Sequence, residues 1–117
     1  MATWDEQIFT IDTNVDFLDE IADLDPEEIV DAVRDAVLLV ANQETPSEDE
    51  LLNGQAAATI AAIWSGAPFS AGDTAEAYPF IRLRPDEIDE KLVEAAATVL
   101  EEADTETDLE QFLEALA

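Results

Sequence analysis

Fourteen consecutive residues, Leu51 to Trp64, carry no charged side chain, in a chain where 29% of residues are charged. They read Leu-Leu-Asn-Gly-Gln-Ala-Ala-Ala-Thr-Ile-Ala-Ala-Ile-Trp. Ser47-Glu48-Asp49-Glu50 precedes them as a capping box, and Gly66 follows as a stop. The run predicts a helix over about 47–65. A helix that is apolar nearly all round is a buried helix. Gly54, Ala57, Ala58 and Ala61 let neighbours approach closely, and Ile60, Ile63 and Trp64 fill the space beyond. The strongly apolar part, Ala56 to Trp64, is far too short to span a bilayer.

Everything else must wrap this helix, and the charge is distributed accordingly. Residues 1–50 hold 16 acids and one base; residues 51–85 hold two of each; residues 86–117 hold 12 acids and one base. Both arms are acidic and the centre is neutral. Each arm also has helical apolar spacing. Val15, Leu18 and Ala22, with Phe17, Ile21 and Leu24 beside them, predict a helix over about 14–23. Asp25-Pro26 restarts the chain as N-cap and first helical residue, with Leu24 and Ile29 spaced as a hydrophobic staple. Ile29, Val33, Ala36, Val37 and Val40 carry that second helix to about 43, and Leu38 and Leu39 broaden its apolar stripe.

Residues 66–84 form a long connection, with a short helical turn expected near 73–77. Phe69, Tyr78, Phe80, Ile81 and Leu83 should pin it to the core. Pro85 opens a helix to about 103 with the stripe Ile88, Leu92, Ala95, Ala96 and Val99. Thr107-Asp108-Leu109-Glu110 caps a last one over about 107–116, with Leu109, Phe112, Leu113 and Leu116 on one face. The one strand candidate, Phe9 to Ile11, is too short to matter. The expectation is a single all-α domain over 1–117: about five helices around a central buried Ala-rich helix.

Composition excludes several chemistries. The 117 residues contain no Cys and no His. Disulfides, thiolate nucleophiles, imidazole bases, and metal sites with Cys or His ligands are therefore ruled out. A net charge of −26 opposes direct binding to nucleic acid or to an anionic membrane. Met1 to Asp12 has neither a basic nor an apolar targeting region, so a soluble, cytoplasmic protein is expected.

The opening segment carries a recognisable pattern: Trp4, Ile8, Phe9, Asp12, Thr13, Asp16 and Phe17. It resembles the start of an uncharacterised family, domain of unknown function 4259, which reads roughly W-G-x-G-x-F-x-N-D-x-A-x-D-W. Phe17 stands for the second tryptophan, Asp5 and Gln7 replace the two glycines, and Ile11 replaces the asparagine. The rest is similar in layout, with an Ala-rich helix ending Trp-Ser-Gly-Ala-Pro and an acidic helix after a proline. The resemblance implies no activity that could be carried over. Read from the residues alone, Asp12 or Asn14 caps the first helix, and Trp4, Ile8, Phe9 and Phe17 tuck the N-terminal arm onto the core.

Four other patterns bear on chemistry. Asp12, Asn14, Asp16, Glu20 and Asp23 match a calcium loop at positions 1, 3, 5, 9 and 12. Phe17 occupies the position that requires glycine, and the helical reading of this segment would splay the ligands, so no metal or other cofactor is expected. Carboxylates recur four apart, as in Glu27/Asp31/Asp35 and Asp86/Glu90/Glu94. A solvated face explains them better than acid–base or di-metal work, which would want burial or histidines. One Lys against 14 Asp and 16 Glu resembles the surface of a protein from a salt-in halophile, with an ordinary acidic bacterial protein as the competing explanation. Finally, Arg82 and Arg84 would project to one side of an extended segment, clamping an anion or bridging to the acidic helices.

The functional expectation is a non-enzymatic domain that binds an unidentified protein, as a monomer or homodimer. Arg82, Arg84, Tyr78 and Trp4 are its candidate interaction residues. One alternative is an acidic mimic of nucleic acid acting as an inhibitor or immunity protein. An enzyme using carboxylates with a divalent metal is the third reading.

Overall fold

Ser47 starts the central helix by capping it. Its backbone is extended, its Oγ accepts the Glu50 N–H at 3.2 Å, and Glu50 Oε1 accepts the Ser47 N–H at 3.0 Å. Two helix-end donors are thereby satisfied reciprocally. The structure, a computed structural model, describes residues 4–42, 47–65, 76, 78–82, 90–102 and 109–116. Among these the helices are α1 (Trp4–Phe9), α2 (Asp12–Ala22), α3 (Pro26–Ala41), α4 (Glu48–Trp64), α5 (Glu90–Glu101) and α6 (Glu110–Leu116), with a 3-10 helix at Pro79–Arg82. The protein is all-α, and no described residue is in a strand. No helix among the described residues is long and apolar enough to cross a membrane.

The capped helix, α4, is the core. From Gly54 to Trp64 every residue is buried. Its main neighbours are α3 and α5, which also pack on each other; α6, α2, α1 and the 3-10 helix cover the remaining sides. The radius of gyration is 12.5 Å, against about 13 Å for a compact 100-residue domain. The chain is therefore wrapped tightly around α4 rather than strung along it. Close approach is possible because the α4 surface is mostly methyl groups. Ala56, Ala57, Ala58, Ala61 and Ala62 are all fully buried.

The flanking helices turn the expected stripes inward. In α3 these are Ile29, Val33, Val37 and Val40. Asp25 takes the extended N-cap conformation ahead of Pro26, although its side chain makes no capping bond. Leu92, Ala96, Val99 and Leu100 are buried in α5, and Leu109, Phe112 and Leu116 at the last helix. Ile88, Thr107 and Asp108 lie outside the described residues, as do 85–89 at the expected start of α5. So does the turn expected over 73–77, except Glu76, which is helical.

Two local features differ from the expectation. Trp4–Phe9, to which the sequence pattern assigned no helix, is a helix of six residues, and Thr10 closes it by donating to the Glu6 carbonyl at 2.8 Å. Trp4 and Ile8, one turn apart, both face the core. The second concerns α2, which begins at Asp12 with Ile11 at the N-cap and no side-chain cap. Its buried line is Asn14, Leu18 and Ile21, rather than Val15, Leu18 and Ala22. Val15 is half-buried and Ala22 exposed. The rotation follows from Asn14, whose Nδ2 donates to the Ile8 carbonyl at 2.8 Å and ties the end of α1 to the start of α2. Ala22 offers too little apolar surface to turn the helix the other way.

Candidate functional site

Of the four candidate interaction residues, Trp4 is held in the core. It is 5% exposed, and its indole N–H donates to Thr59 Oγ1 at 2.7 Å. Thr59 in turn donates to the Gln55 carbonyl at 2.8 Å. The indole and hydroxyl thus satisfy each other where water is excluded. The N-terminal arm is docked on α4 by this bond, and Trp4 presents no surface to a partner.

Tyr78 is placed differently. It is half-buried, its ring is tilted against Phe80 with centroids 6.0 Å apart, and its hydroxyl donates to Asp19 Oδ1 at 2.5 Å. That bond raises the phenol above its ordinary value of 10.0, with further contributions from desolvation and from the charges of Asp19 and Asp16. Nearby, the Trp64 indole donates to the Phe80 carbonyl at 3.1 Å. Phe80 and Ile81 are buried beside α4. The connection between α4 and α5 is therefore pinned by apolar burial and two long-range hydrogen bonds. Tyr78 is one of the pins.

Arg82 closes the 3-10 helix, so residues 79–82 are not the extended segment on which an alternating arginine face was expected. Tight 3-10 winding lets the consecutive residues Phe80 and Ile81 both be buried, where an extended strand would have turned them to opposite sides. Arg84 lies outside the described residues.

The calcium-loop pattern folds as helix from Asp12 to Ala22, which separates its ligands around the axis. Asn14 is fully buried, whereas Asp12, Asp16 and Glu20 are exposed. The other amide atom of Asn14, Oδ1, is buried without a hydrogen-bond partner. No three Asp or Glu side chains converge on one point among the described residues. Glu6 and Glu50 are half-buried, and every other Asp or Glu whose side chain is described is exposed. Glu50 serves the capping box.

One surface feature has no counterpart in the candidates read from sequence. A groove of about 530 Å³ runs between α3 and α5. Leu38, Ala41 and Asn42 form one wall, and Lys91, Glu94, Ala95 and Thr98 the other. Leu39, also on α3, is 44% exposed. The signal available in sequence was Leu38, an apolar residue outside the buried stripe of α3.

A family model described as a domain of unknown function (DUF4259) matches residues 2–116. The chain belongs to this family. The match runs from the N-terminal pattern through the last helix, so the whole wrapped α4 architecture falls within the family unit. No curated protein and no solved structure matches the chain.

Proposed function

We propose that this member of the family acts by binding another protein and performs no chemistry with its carboxylates. The observation that supports the reading is the placement of the acids. Of those whose side chains are described, only Glu6 and Glu50 are half-buried, the rest are exposed, and none is buried. A general acid or base at neutral pH needs burial or a close like charge to shift it into range. Solvated carboxylates keep a surface hydrated and repel every anionic ligand. Their spread over several helices also differs from a nucleic-acid mimic, whose charge would be concentrated on one face.

The same surface supports a halophile-type setting, with a soluble, cytoplasmic protein whose acids are screened by salt. Affinity capture on extract of the source cells, at about 0.1 M and about 2 M KCl, tests the interaction reading, since screening at the higher salt removes purely Coulombic contacts. A protein retained at both salts, and rebinding with defined stoichiometry when purified, is the expected result. Purified chain that turns over a substrate and loses that activity on substitution of a carboxylate would overturn the reading.

A further inference from the structure

We infer that α1 is an exchangeable arm, hinged at Thr10 and Ile11, that leaves its own α4 and takes the same seat on α4 of a second copy of this chain. This self-association is separate from the partner binding proposed above and does not rest on it.

The break between α1 and α2 has no local cause. Residues 4–22 contain no Gly and no Pro, the usual reasons for a helix to stop. Ile11, at the N-cap of α2, makes no side-chain capping bond; a break that local chemistry favoured would have Ser, Thr, Asp or Asn there. The Thr10 hydroxyl donates to the Glu6 carbonyl, a bond that threonine also makes inside helices. At Ile11 φ is −69°, already helical, and only ψ, at 131°, is extended. At that residue one torsion separates the bent chain from a continuous helix. Alone, the six residues of α1 bear the nucleation cost of a helix; joined to the eleven of α2 they do not.

The seat is what bends the chain. Trp4, Ile8 and Phe9 are buried, the Trp4 indole donates to Thr59 of α4, and Asn14 Nδ2 donates to the Ile8 carbonyl. Asn14 and Thr59 are the two fully buried polar residues among those described, and both hold α1. Polar bonds in a dry core specify one docked register. They also leave the bent form imperfect, because Asn14 Oδ1 is buried without a partner and an unpaired buried acceptor disfavours the form that puts it there. In a continuous helix the Ile8 carbonyl accepts the Asp12 N–H instead, and the Asn14 amide is released from it. Every copy carries the same seat. Exchange therefore remakes the Trp4 bond and the burial of Ile8 and Phe9 without any new complementary surface.

Charge sets the condition. Each copy carries −26, and residues 4–22 hold six acids and no base. Two copies repel at low ionic strength; at about 1 M salt the Debye length is about 3 Å and the repulsion is confined to contact. The exchanged dimer is thus favoured by high salt and high chain concentration, the opposite of association through complementary charge.

Sedimentation of the full chain, refolded from urea at high concentration in about 0.1 M or about 2 M KCl, measures the association. Nitrogen-labelled and carbon-labelled chains refolded together locate it. An isotope-filtered NOE between the Trp4 indole proton of one copy and the Thr59 methyl of the other reports the exchanged arm. Thr10→Ala and Thr10→Gly both remove the hydroxyl at an exposed position and differ in how well they carry a helix through the hinge. We expect monomer at the lower salt, dimer at the higher, and the NOE between copies in the dimer. Thr10→Ala should dimerise about 25-fold more tightly than Thr10→Gly, about fivefold for each of two hinges.

A chain that stays monomeric at the higher salt, a dimer in which the Trp4–Thr59 contact stays within each copy, or a dimer confined to low salt would overturn the inference. So would equal dimerisation of the two hinge variants. The first three outcomes are read on the wild type, so a variant that fails to fold leaves the test standing.

Discussion

At Gly54 the packing of α4 depends on one missing carbon. A Cβ built there would collide with Val40 Cγ2, lie 2.9 Å from Val40 Cβ, and lie 3.3 Å from the Ala36 carbonyl oxygen. The Val40 branch point cannot rotate out of the way, so the two helices would have to separate. Gly54→Ala gains helix propensity of about 1 kcal/mol, but overpacking costs about 1–3 kcal/mol. With a contact this short the upper part of that range applies, and urea unfolding should show a net loss of about 1–2 kcal/mol. Val40→Ala added to Gly54→Ala should recover part of it, as a double-mutant cycle will show.

Tyr78 gives a second residue-scale prediction. Its phenol is raised in the folded chain, so the native state holds that proton more tightly than the unfolded state does. The stabilisation is complete below the unfolded value of 10.0 and is lost as pH rises through the higher folded value. Tyr78→Phe should cost about 0.5–1 kcal/mol at pH 7, at the low end for hydrogen bonds because water reaches the pair. The difference between the two proteins should vanish in strong alkali. A constant gap across that range would show that Asp19 is not the partner that matters. The proton coupling was invisible in the sequence, because Asp19 and Tyr78 are 59 residues apart and meet only through the fold.

Among the elements, α4 was the most legible, and for a physical reason. Its capping box, charge-free run and small residues all pointed to a buried helix, and each local signal agreed with the tertiary outcome. The shortest element, α1, was the least legible. Six residues barely pass the nucleation cost of a helix, so α1 exists through tertiary contacts: the Trp4 bond to Thr59 and the Asn14 bond to the Ile8 carbonyl. Trp4 and Ile8 at helical spacing were the available hint. Of the candidate site residues, the sequence marked Trp4 and Tyr78 as aromatic anchors but could not separate a buried anchor from an exposed contact. That separation depends on which helix lies opposite.

The burial of α4 predicts a contrast between elements. Ala61 is fully buried at the centre, and Lys91 is exposed on α5. Ala61→Glu would bury an unpaired carboxylate, a penalty of at least several kcal/mol and comparable to the whole stability of a domain this size. It should yield no cooperative unfolding transition. Lys91→Glu should shift the midpoint by about 0.5 kcal/mol or less at high salt, as exposed charge changes do. Equal midpoints for the two variants would mean that α4 is not buried and that its apolar faces meet a partner instead.

For the whole molecule, the governing comparison is between its size and the screening length. The chain measures 31 × 30 × 27 Å and carries a charge of −26. At 0.01 M salt the Debye length is about 30 Å, so every carboxylate repels charges right across the protein. At 1 M it is about 3 Å, shorter than the roughly 5–6 Å between neighbouring positions on a helix surface. Like charges four residues apart recur at Asp12/Asp16, Asp19/Asp23, Glu27/Asp31/Asp35, Glu90/Glu94 and Glu110/Glu114. At about 0.2–0.5 kcal/mol per pair, these local repulsions alone amount to about 1–3 kcal/mol in dilute solution. About 1 kcal/mol moves the melting temperature of a domain this size by some 4–8 °C. A rise on the order of 10 °C from 0.01 to 1 M KCl is therefore expected by circular dichroism, flattening once the pairs are screened. Glu27→Gln, Asp31→Asn and Asp35→Asn combined should raise the low-salt melting temperature and lessen its salt dependence, because these acids are exposed and removing their charge leaves the core untouched. If melting is independent of salt in the wild type, the repulsion is already compensated within the fold. The acidic surface would then have to be explained by its partners rather than by its solvent.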